Sequence, residues 1–116
     1  MKTITNLNEA NSILKEFRNA NACVRLFDLS HKKLGLKLSA PNNTDNVLYI
    51  VGVGCEHING FFSWKNSNVT IENNNGDITK IIDKANGFEL ITSGGFSMAE
   101  GKESEFGNSF DKFFLD

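Results

Sequence analysis

Val47-Leu48-Tyr49-Ile50-Val51 is an apolar run with no polar break, and its reading decides the fold. A strand with one wet face alternates apolar and polar side chains, so an unbroken run marks a strand covered on both faces. Gly52 and Gly54 continue or bend this strand. Upstream, Ala22 to Leu29 is short, apolar and strand-like, and Ser30-His31-Lys32-Lys33 is a polar turn. Leu34, Leu36 and Leu38 then alternate with Gly35 and Lys37, which predicts a β-hairpin whose second strand keeps one wet face. Ser39 to Asn46, holding the single proline Pro41, is a loop.

Further out the period changes. Leu7, Ala10, Ile13, Leu14 and Phe17 recur at three- and four-residue spacing, the stripe of an amphipathic helix. Asn6 is placed to cap it, with Glu9 three residues on, and Asn19-Ala20-Asn21 closes it. Downstream, Ile58 to Lys65 reads as an irregular or short-strand connection. Val69 to Glu72, Ile78 to Asp83 and Phe88 to Thr92 read as strands, with turns at Asn73 to Asp77 and Lys84 to Gly87. Phe96 to Glu100 is a further strand or a loop after Gly94-Gly95. Phe106, Phe110, Phe113 and Phe114 share a helical face, which predicts a short C-terminal helix.

Close-set strands bracketed by helices predict an α+β fold: an N-terminal helix, a mostly antiparallel sheet of about six strands in a meander, and a short C-terminal helix. No crossover is long enough for a parallel βαβ unit. The 116 residues are expected to form one domain, residues 1–116. Ten Phe against one Trp and one Tyr make the expected core Phe-rich.

A net charge of −2 excludes the basic stripe that releases counterions from nucleic acid. No apolar run approaches the length that spans a bilayer, and Met1-Lys2-Thr3-Ile4 leads into a polar helix without an apolar signal core. With residue 1 as the natural start, the expected location is the cytoplasm. Two cysteines, Cys23 and Cys55, are too few for a disulfide scaffold and are expected as free thiols. The glycosylation sequons at Asn42 and Asn68 are chance matches in an Asn-rich chain.

Several stretches resemble sites, and each has a structural account beside the chemical one. Cys55 and His57 stand where a thiolate and its base would, since only the thiolate attacks and an imidazole assists its formation. The structural account is a buried cysteine beside an incidental histidine. Zinc would need Cys23, His31, Cys55 and His57 together. Cys23 and His31 lie eight residues apart, roughly 25 Å along a strand, so no metal site is expected. Gly52-Val53-Gly54 lacks the third glycine and following helix of a dinucleotide loop, and is better explained by close packing. Asn73 to Asp77 fails as a calcium loop because Ile71 and Ile82 fall at the first and last ligand positions. Asp28 and Asp83 are acids at or near the ends of apolar strands, the usual place for a strand-end acid and a weak candidate for catalysis. No cofactor is implied.

Phe61-Phe62-Ser63-Trp64 differs in kind, because three large rings on an extended stretch cannot all face one core. Phe61, Phe62 and Trp64 are therefore candidate partner-binding residues, against the alternative that the loop folds back to bury them. Two functional readings follow. The first is a non-enzymatic protein-binding module in the manner of inhibitor or immunity proteins, using the aromatic loop or a sheet face, with a protein partner or a second copy of the chain. The alternative is a small enzyme or small-ligand binder with a pocket near Cys55 and His57.

Overall fold

The structure is a computed structural model that describes residues 2–28, 30, 32–40, 45–74 and 78–102. One helix and ten strands appear among them, an α+β layout with antiparallel pairing throughout. The strands form two sheets. Six belong to the first: β1 (Lys2–Ile4), β2 (Asn21–Asp28), β3 (Lys33–Ser39), β4 (Asn46–Val53), β6 (Ser63–Trp64) and β10 (Phe96–Lys102), in the order β1-β10-β4-β3-β2-β6. Four form the second: β5 (Cys55–Asn59), β7 (Thr70–Asn74), β8 (Ile78–Asp83) and β9 (Phe88–Thr92), in the order β5-β9-β8-β7.

The single meander of about six strands is thus corrected to two sheets. The reason lies at Gly54. It adopts φ +67, and there the chain leaves the first sheet at Val53 and enters the second at Cys55. The return crossing from β9 to β10 runs alongside: Gly94 N donates to Val53 O, Val53 N to Gly95 O, and Ser93 N to Gly54 O. A Cβ on Gly54 would come within 2.8 Å of Ser93 Oγ, which can turn away, and 3.1 Å of the Gly94 backbone N, so the positive φ is what chiefly calls for glycine and the close backbone adds to it. β1 is a further departure, since its three residues pair with β10 where the sequence suggested only a lead into the helix.

The helix α1 (Leu7–Glu16) begins as expected, with Asn6 Oδ1 accepting from Glu9 N at 2.9 Å. It stops at Phe17, and Asn19 takes the left-handed turn at φ 67. Ala10, Ile13, Leu14 and Phe17 enter one apolar cluster with Leu34, Leu36, Leu38, Leu48, Ile50 and Met98 of the first sheet. Ile71, Ile81, Phe88 and Leu90 of the second join the same cluster. α1 also closes an open edge. Asn11 Nδ2 donates to Ile71 O and Ile71 N donates to Asn11 Oδ1, both at 2.9 Å, so one side-chain amide pairs with β7 as a neighbouring strand would.

β4 behaves as its unbroken apolar run requires. It lies between β3 and β10, and every residue from Val47 to Gly52 is buried. Leu48 and Ile50 face the shared cluster, while Val47, Tyr49 and Val51 face the opposite way with Ala99 of β10. The wet face expected on β3 is only half-wet, because Lys33 and Lys37 are partly buried. No helix among the described residues is long and apolar enough to cross a membrane. The expected C-terminal helix, His31, the Pro41 region of the loop and most of the Asn73 to Asp77 turn lie outside the described residues.

Candidate functional site

Cys55 and His57 stand on β5 with a register irregularity between them, so regular alternation does not align their side chains. Cys55 is half-buried and lines a small pocket of about 130 Å³ with Leu34, Glu56, His57, Ile58 and Leu90. Its Sγ donates to Gly52 O at 3.4 Å. Burial pushes the thiol up to about 11; a backbone hydrogen bond with Leu34 pulls it the other way, and the Glu56 carboxylate adds to the rise. The group is therefore a neutral thiol at neutral pH, whereas attack needs the thiolate. His57 is more than half exposed, and its Nε2 lies 4.0 Å from Glu89 Oε1.

Asp83 does not join them. On β9 its antiparallel partner is Phe88, whereas Cys55 pairs with Thr92. Four residues of strand, roughly 13 Å, separate those two positions. Among the described residues no three His, Cys, Asp or Glu side chains come together as metal ligands.

Asp83 has a different place. Its residue is fully buried, and its carboxylate accepts from Trp64 Nε1 at 2.9 Å, Asn68 N at 2.8 Å, Asn86 Nδ2 at 2.9 Å and Asn86 N at 3.3 Å. Removing a carboxylate from water is costly unless its lone pairs are refilled, and here four donors refill them. Asp83 is also the N-cap of the 3-10 turn Lys84–Asn86, which Gly87 ends at φ 71. One side chain thus joins β6, the Lys65 to Val69 connection and the β8–β9 turn.

The aromatic stretch divides at this anchor. Trp64 is half-buried and packs on the shared core, its ring 4.7 Å from that of Phe88 and tilted by 32°. Of the three candidate partner residues it is the one built into the fold. Phe61 and Phe62 point outward, 69% and 80% exposed, and Ile58 on the preceding strand is 43% exposed. Their backbone is nevertheless held. Phe62 O accepts from Val24 N at 2.7 Å, extending the pairing of β6 with β2. Gly60, at φ +135, lies so close to Phe88 that a Cβ would meet its Cα at 2.9 Å. A shallow depression of about 380 Å³, lined by Asn21, Ala22, Cys23, Ser63, Trp64 and Lys65, opens beside the loop.

Asn68 and Asn86 are participants that the sequence reading did not single out. Asn86 carried a local signal, standing three residues after an acid at a strand end, the spacing of a capping turn. Asn68 carried none, because it contributes its backbone N–H.

Two outcomes check this geometry. Asp83→Asn places an amide donor among groups that already donate, and should lower stability by about 2–4 kcal/mol in urea unfolding; a change under about 0.5 kcal/mol would contradict the anchor. Cys55 in the folded chain should alkylate about 100-fold more slowly than a free thiol near neutral pH, its rate rising about tenfold per pH unit towards 11. Peptide-resolved mass spectrometry separates it from Cys23, and alkylation at the free-thiol rate would restore the thiolate reading. Comparison of the chain with protein-family models, curated proteins and solved structures gives no match, so its function is argued from this geometry.

Proposed function

We propose that this protein is a non-enzymatic binding module that captures a protein partner through Phe61 and Phe62, in the manner of inhibitor or immunity proteins. One observation carries the reading: two adjacent phenylalanines face water on a loop whose backbone is fixed on both sides. Each exposed Phe forgoes roughly 1.5–3 kcal/mol of burial that a core position would recover. A partner that covers both rings recovers it. Because the mount is already ordered, docking avoids part of the roughly 0.5–1.5 kcal/mol per side chain that ordering costs. Ile58 extends the apolar contact, and the depression beside Trp64 offers a partner side chain a seat.

The alternative, a small-ligand or catalytic site at Cys55 and His57, is less well supported. Its thiol is protonated at neutral pH, and the third candidate, Asp83, is engaged elsewhere. A second copy of the chain is the competing occupant of the aromatic loop.

The test compares the tagged chain with its Phe61→Ala/Phe62→Ala variant in pull-downs from native lysate, alongside sedimentation of each protein alone. The variant should keep its stability within about 0.5 kcal/mol, as exposed positions do. It should lose a stoichiometric partner by at least about 30-fold, the effect of one interface anchor worth 2 kcal/mol. Undiminished capture by the variant, or a dimer of the parent chain that the variant abolishes, would overturn the reading.

A further inference from the structure

The edge of the second sheet that α1 lies against is paired at two places and open between them. Ile71 N and Ile71 O both bond to the Asn11 side chain, so they face away from β8 and towards the helix. Before β7, Ser67 O accepts from Asn19 N and Ser67 N donates to Ala20 O, just past the end of α1. Asn68 N points the other way, to Asp83. Alternation then puts the Val69 N–H and C=O on the helix side, midway between the two paired positions. Among the described residues no hydrogen bond reaches either group, although Val69 is only 4% exposed. A buried backbone pair without a partner costs free energy that a partner would restore.

The opening is a groove of about 340 Å³, lined by Leu14, Lys15, Arg18, Asn68, Val69 and Glu72. That volume lies at the lower end of small-ligand sites, roughly 300–1,000 Å³. The contacts at Ser67 and Ile71 close both ends roughly 13 Å apart, so the groove admits a terminal residue and not an added strand. Charge is sorted along it. Asn11 meets Ile71 and Asn19 meets Ser67, so Lys15 and Arg18 lie beside Val69, while Glu72 stands past Ile71 at the Asn11 end. Among the described residues none of these three side chains forms an ion pair. Bases at the end of a helix complement its dipole, which accounts for Lys15. It does not account for the open Val69 pair.

We infer that this groove binds the C-terminal residue of a peptide. The residue's amide N–H donates to Val69 O, and its carboxylate accepts from Val69 N and from Lys15 and Arg18. Its side chain rests on Leu14. Asn11 already presents the same pair of groups, one donor and one acceptor, to Ile71. Glu72 repels the carboxylate from the opposite end and so fixes its direction. The inference rests on neither Phe61 nor Phe62, and each reading can fail alone.

Titrating the isotope-labelled chain with N-acetyl-alanyl-leucine tests it by nuclear magnetic resonance. The Val69 amide and the Arg18 side-chain Nε–H should shift saturably and together. The same peptide with an amidated C-terminus should bind at least about tenfold more weakly, because it keeps the amide and loses the charge. The Lys15→Gln/Arg18→Gln variant should lose a similar factor while its remaining resonances stay in place, since both positions are exposed. Acetate alone should bind more weakly than the peptide. No saturable shift at Val69, equal binding of the acid and amidated peptides, or undiminished binding by the variant would each overturn the inference. Acetate binding as tightly as the peptide would also overturn it, leaving a site for any small anion.

Discussion

The buried carboxylate of Asp83 is the interaction on which the candidate site depends. Four hydrogen bonds from Trp64, Asn68 and Asn86 converge on it, joining the stretch that runs from β6 towards β7 to the turn between β8 and β9. Without those donors, burying the acid would cost several kcal/mol. With them, the acid becomes a cross-link. Trp64 is held against Phe88, the preceding residues are held against β2, and Phe61 and Phe62 are left facing outward.

The second constraint is the double crossing at Gly54 and Gly94. Both connections between β4–β5 and β9–β10 pass through the same place and hydrogen-bond to each other. This arrangement puts the two sheets around one apolar cluster and makes β5 an edge strand of the second. It also explains why Cys55 loses solvent. The thiol enters the sheet immediately after the crossing, beside Leu34 and Leu90, and the resulting desolvation favours the neutral form.

Where the signal was local and periodic, the sequence was legible. The helical stripe from Leu7 to Phe17, the unbroken run of β4, and the limits of β8 and β9 all emerged from spacing alone. Three residues of β1 carry no period to read, so that strand was invisible. The change of sheet at Gly54 was also hidden, because a glycine after an apolar run fits a bend and a crossing equally well. The site was half-legible. The sequence set an exposed stretch of Phe61, Phe62 and Trp64 against one folded back into the core, without deciding which ring went inward. That choice is made by Asp83, nineteen residues from Trp64, through a side-chain contact that no local pattern reports.

The most direct test of this account is hydrogen exchange at the Trp64 indole N–H, a unique signal because the chain has one tryptophan. If Asp83 holds that proton, exchange should be slowed on the order of 100-fold or more, matching an opening cost of about 3 kcal/mol or above. Exchange at the rate of a free indole would show that the anchor does not form, and the aromatic loop would lose its fixed mount.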